Sequence, residues 1–280
     1  MNADDLGLAE SVNRGILETM ESGIVTSASL MVNMNSHDDA IRRLGEARAR
    51  GGGLAVSIGL HFNIVAGAPL SPSPGHTLVN QRTGQFLPLS TLVLRAIRRR
   101  IDMADVEREL EAQLRKAQTL LAPLGMRVTH IDSHRHAHCL PGVFDIVLRV
   151  ARAHGIGHVR HPNESPRTLM GRPLAFIAAQ LVRLALTNAR ALDDVGFAGF
   201  ALMGSRRLDR DLARLLGKLP DGTTELMVHP GYDSPELAAL DPYREPRERE
   251  VRALTSPALR DLLRELGMEL TRFDSTAAAA

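Results

Sequence analysis

The 280-residue chain has no tryptophan, two tyrosines and a single cysteine, Cys139. So few aromatics leave no platform on which successive bases could stack, which argues against single-strand nucleic-acid binding. One cysteine cannot form a disulfide within the chain, and this fits a reducing compartment. No apolar run reaches the roughly 20 residues of a membrane span. The opening MNADDLG carries acids where a secretory leader carries a basic and then an apolar stretch. The expectation is a cytoplasmic protein with no membrane span. Charge of one sign is also scarce: 34 Lys plus Arg face 32 Asp plus Glu, a formal charge of +2. That is too small to imply a polyanionic partner. The one dense cationic cluster, RAIRRR at Arg95–Arg100, reads as a solvated helix face, so no nucleic-acid partner is expected.

What is present is enough for a sizeable core: 44% hydrophobic and 24% charged residues. The chain alternates between two periods. Leu8, Val12, Ile16 and Met20 recur every four residues and predict a helix over 8–22, stopped by Gly23. Helices are also predicted at 37–49, 103–122, 141–154, 166–187, 206–217 and 257–266, with Asp102 capping the third of these seven. Strands are expected at 24–32, 54–62, 127–132, 157–160, 196–202, 224–229 and 268–272, plus a stub at the start. Repeated strand-then-helix units imply a parallel sheet. The strand number suggests a distorted (β/α) barrel of seven to eight mostly parallel strands, formed by one domain over 1–274 with a disordered tail at 275–280. The Gly-, Pro- and Ser-rich stretch 63–86 reads as either a lid or a loose loop.

In such a barrel, reactive side chains gather at the C-terminal ends of strands. Asp4, Asp5, His61, the cluster after 127–132 and His229 all fall there. THIDSHRHAH places His130, Asp132, His134, His136 and His138 at every second position. Period two would aim all five to one side if the strand continued. Converging imidazoles repel one another when charged and suit a bound cation, whereas a single histidine is usually a hydrogen-bonded core residue. Asp4 and Asp5 alone would read as a helix cap and dipole partner; beside these histidines, they read as a metal ligand and a base.

NADDLGL, VNRGI, GIVTSASLMVN, GLHFN, THIDSHRHAH and MVHPGY, in that order from residue 2 to about 272, resemble the motifs of the YdjC-like carbohydrate deacetylases. The resemblance implies a distorted barrel, one divalent metal ion (Mg²⁺ or Zn²⁺), and removal of an acetyl group from an N-acetylated sugar. Residue by residue it implies Asp5, His61 and His134 as metal ligands, Asp4 as general base and His229 as general acid. Asp132, His136 and His138 match supporting positions. The implied substrate is an N-acetylated mono- or oligosaccharide or a glycolipid head group, and a homodimer is a family-level expectation. Two other readings compete. His134-Arg135-His136 has the HxH form of amidohydrolase or phosphoesterase barrels, although those place it on the first strand. An inactive sugar-binding relative is the third. Family members carry a short apolar strand before NADD, so strand one is expected to be largely truncated here, leaving a seam and Asp4 and Asp5 on an unanchored terminus.

Overall fold

The computed structural model describes residues 1–50, 54–72, 77–169, 176, 179–180, 186 and 192–276. Among these residues seven strands are interleaved with helices: β1 Asn2–Leu6, α1 Glu10–Glu21, β2 Ser27–Leu30, α2 His37–Ala49, β3 Ser57–Phe62, α3 Leu89–Ile97 and α4 Met103–Leu121. There follow β4 Val128–Ser133, α5 Val143–Ala153, β5 His158–Val159, β6 Gly196–Ala198, α6 Leu208–Leu216 and β7 Thr224–Val228. Helices α7 Pro235–Leu240, α8 Glu245–Leu254, α9 Pro257–Glu265 and α10 Phe273–Thr276 close the chain. Most of the helix expected at 166–187 and of the tail at 275–280 lies outside the described residues, although Ser275 and Thr276 end α10. Among the described residues no helix is long and apolar enough to cross a membrane.

All strand pairs are parallel, in the order β5-β4-β3-β2-β1-β7-β6. In that order β5 and β7 stand five positions apart, which a flat sheet would separate by about 24 Å. Yet His158 Nε2 on β5 lies 3.3 Å from Glu225 Oε2 on β7. The sheet must therefore curl, bringing its ends together as an incomplete barrel. Ion pairs across the interior do the joining where no ladder does: β5 and β6 are unpaired with each other among the described residues.

Two expectations are corrected. Strand one is not truncated: Asn2–Leu6 is a five-residue strand, wholly buried, at the centre of the sheet between β2 and β7. Asp4 and Asp5 therefore follow Asn2 and Ala3, which pair with β2 on one side and β7 on the other, and no seam opens there. The segment 268–272 is not a strand either. It crosses the N-terminal end of the barrel, where Thr26 Oγ1 donates to Thr271 O at 2.7 Å. Phe273 then stacks on His158 and packs on His130, with centroids 4.5 and 4.0 Å apart. An aromatic plug occupies the place expected for an eighth strand.

Helix α4 shows how local signals position the site. Asp102 accepts from the Ala104 N–H at 2.9 Å, capping the helix as its sequence predicts. Val106, Leu110, Leu114, Ala117 and Leu121 form the buried stripe. Its polar inner residues hold the loop after β3: Gln113 Nε2 donates to Asn63 O at 2.7 Å, and Glu109 accepts from the Leu70 and Ser71 N–H groups.

Candidate active site

In a regular strand, adjacent side chains point to opposite faces. Asp4 and Asp5 escape this rule. Asp5 has φ +70°, a left-handed conformation uncommon outside glycine, and the register with β2 shifts between Ala3 and Leu6. Such a bulge re-aims a side chain, so both carboxylates reach the interior. A non-glycine residue held there costs on the order of 1–3 kcal/mol, which the flanking strands must outweigh.

The bulge delivers Asp5 to two histidines. Asp5 Oδ1 lies 2.8 Å from His134 Nδ1 and 3.3 Å from His61 Nε2. One ligand atom from each residue falls within 4.8 Å of the others, and all three residues are buried. Neighbouring ligands placed about 2.1 Å from one cation lie about 3.0–3.4 Å apart, so these contacts fit a metal set of one carboxylate and two imidazoles. A second grouping, Asp4, His61 and Asp132, is geometrically close. Its carboxylates are already engaged by Arg160, which makes it the poorer fit.

The surroundings orient these donors. His61 Nδ1 lies 2.7 Å from Asp132 Oδ1; a proton held there leaves Nε2 free as a ligand. Asp132 is fixed in turn by Ser29 Oγ at 2.7 Å. Arg247, on α8, donates to Asp5 Oδ2 at 2.6 Å and to Asp241 Oδ2 at 2.8 Å. Arg160, just past β5, donates to Asp4 through both terminal nitrogens, at 2.7 and 2.6 Å, and to Glu225. It also lies 2.6 Å from Asp132 Oδ2.

Five buried carboxylates (Asp4, Asp5, Asp132, Glu225 and Asp241) thus face two buried guanidiniums, an excess of negative charge that suits a cation. The protonation equilibria show the same imbalance. Burial works against a charged His61, but Asp132 and Asp5 outweigh it and push its pKa up to about 10. Burial likewise opposes ionised Asp4; the Arg160 guanidinium overcomes this and holds it down to about 2. Asp5 lies well below the usual carboxylate range because Arg247 and His134 outweigh its burial.

The histidine run divides. His130 and Asp132 follow the strand alternation, and His134 comes next on that side. Arg135 and His136 then take φ +53°, and His134–Cys139 coils into 3₁₀ turns, so the alternation ends. His138 Nε2 lies 2.9 Å from Arg160 O and Nδ1 contacts Ser133 Oγ, which steadies the chain carrying Arg160. His136 packs edge-on to Phe200 at 4.9 Å, and among the described residues its buried Nδ1 has no hydrogen-bond partner. His229 follows β7. Its Nε2 is 3.9 Å from Asp4 Oδ2, its ring lies edge-on to Tyr243, and its N–H donates to Glu250. The structure therefore brings Asp4, Asp5, His61, Asp132, His134 and His229 to one end of the barrel.

Sequence reading missed Arg160, Glu225, Arg247 and Asp241. Arg160 alone carried a usable signal, since it ends the short run GHVR and strand ends were already the places to search.

Residues 1–265 match the family model described as YdjC-like protein. A carbohydrate deacetylase of Geobacillus stearothermophilus is 34% identical over 274 residues, covering 98% of this chain and 95% of its own. A human carbohydrate deacetylase is 32% identical over 298 residues, covering 98% and 89% respectively. A solved structure from Enterococcus faecalis, named for cellobiose-phosphate cleavage, aligns with a TM-score of 0.75 at 22% identity. It covers 98% of this chain and 97% of that one, a likeness of fold.

Proposed function

Because the chain belongs to the YdjC-like family, we propose that it is a metal-dependent hydrolase that removes the acetyl group from an N-acetylated sugar. The observation that carries this reading is the buried convergence of Asp5, His61 and His134. The names of the relatives, carbohydrate deacetylases, supply the substrate class.

Amide hydrolysis needs an activated water, a stabilised oxyanion and a proton for the leaving nitrogen. Asp5, His61 and His134 would hold the divalent ion, with Mg²⁺ and Zn²⁺ both compatible with this donor set. When bound, the ion supplies Lewis acidity, polarising the acetyl carbonyl and acidifying water. Asp4 is the base: it remains a carboxylate at neutral pH because Arg160 grips it, and it accepts the proton of the attacking water. His229 is the acid that gives a proton to the departing amine, a role supported by its partial exposure and its 3.9 Å distance from Asp4. Arg247 holds the second oxygen of Asp5, leaving the first to face the histidines. Asp132 sets the tautomer of His61. The products are acetate and a free amino sugar. Acetate release across a panel of N-acetylated mono- and oligosaccharides tests the reading, with turnover expected on at least one; phosphate release from phosphosugars, with no acetate from any panel member, would replace it.

A further inference from the structure

We propose that α3 docks this protein on an anionic membrane surface. The inference rests on the helix and its place in the chain, and holds whichever reaction the site performs.

Helix α3 has two apolar sides. Leu92 and Ala96 are buried and fix it to the body. Val93, Leu94 and Ile97 point outward, 37%, 47% and 67% exposed. They make a compact apolar patch on the surface, whereas isolated exposed leucines are ordinary. Arg98, Arg99 and Arg100 follow at once, all exposed, and among the described residues none has an ion-pair partner. Arg95 is turned inward, its guanidinium donating to Thr77 O. Arg99 has φ +53°, and the Arg100 N–H closes back on Arg95 O at 2.8 Å, ending the helix in a tight turn that carries the cationic groups.

The placement of the helix is also informative. The chain leaves β3 at Phe62, next to His61, and α4 begins at Met103. Asp105, in the first turn of α4, accepts from Thr77 on this intervening segment. Helix α3 therefore belongs to the connection between the C-terminal end of β3, which carries His61, and the first turn of α4.

Aliphatic side chains beside a cluster of arginines match a lipid interface, where apolar groups enter the acyl boundary and guanidiniums meet phosphate head groups. The other occupants fit less well. Two copies meeting through this face would press two arginine clusters together. Single-stranded nucleic acid would seek stacking aromatics, and α3 has none.

The test is co-sedimentation of the full chain with vesicles of phosphatidylcholine alone and of phosphatidylcholine mixed with phosphatidylglycerol. Binding is expected only to the mixed vesicles, and it should weaken with salt. Arg98→Gln, Arg99→Gln or Arg100→Gln should each weaken it about fivefold. The double variant Leu94→Ser/Ile97→Ser should abolish it while keeping the wild-type melting curve and acetate release from a water-soluble sugar. No binding to anionic vesicles, or equal binding by the double variant, overturns the proposal. So does a change in oligomeric mass on substituting α3 without any vesicle binding. Acetate release is read separately, so a failure here leaves the deacetylase reading untouched.

Discussion

Arg160 binds Asp4 and Glu225 and lies against Asp132, so the geometry of the proposed base depends on a residue that touches no metal donor. Removing one member of a buried ionic set leaves the others unpaired, at a cost of about 3–5 kcal/mol. Arg160→Met is therefore expected to lower stability by that order, measurable by denaturant unfolding. It should also let the Asp4 pKa rise, moving the acid limb of the pH–rate profile upward. Asp4→Asn is gentler: the amide keeps the shape but cannot take a proton. It should retain metal and lose about 10²–10⁴ in turnover. Wild-type turnover in that variant would place the base elsewhere.

At the scale of elements, the site depends on close approaches. A Cβ on Gly15 of α1 would lie 2.6 Å from Gly231 Cα, in the turn that follows His229. Gly15→Ala should therefore push that turn outward, costing about 1–3 kcal/mol and slowing proton donation by His229. Parallel losses in melting temperature and turnover would show it; an unchanged enzyme would mean that the turn yields freely. Much of this level was legible in the sequence. Helix 37–49 and the Asp102 cap followed directly from periodicity and local chemistry. Asp4, Asp5, His61, His134 and His229, which converge in the structure, are marked in the sequence by strand ends and motif order. Other features had no local signature. The Asp5 bulge depends on the register between β1 and β2. Arg247 reaches Asp5 from a helix 242 residues away. Residues 268–272 have strand-like composition, but they cross the N-terminal end of the barrel and lead into Phe273, which stacks on His158.

For the whole molecule, the interior histidines set the pH dependence of the metal-free fold. Burial holds His130 and His136 well below the ordinary value and brings His138 down to about 3. Below about pH 6.5 the unfolded chain takes protons that these three refuse, so stability falls as pH falls. His158 is opposite: Asp193 and Glu225 overcome its burial and push it up to about 9. Its contribution is complete below about pH 6.5 and is lost as pH rises through 9. Asp4, held down to about 2, withdraws its contribution between about pH 4 and 2. Melting temperatures of the metal-free protein should peak near pH 6.5 and fall on both sides. A curve rising steadily to pH 9 would contradict this assignment of charges.

The central claim is that Asp5, His61 and His134 close on one cation that the reaction requires. The direct measurement is acetate release from an N-acetylated sugar while metal-stripped protein is titrated with Zn²⁺ or Mg²⁺, alongside His134→Ala. Activity should be absent in the stripped protein, return to its full value at one equivalent per chain, and stay absent in folded His134→Ala, which should hold no metal. Full activity in the stripped protein, or metal retention and turnover in His134→Ala, would contradict it.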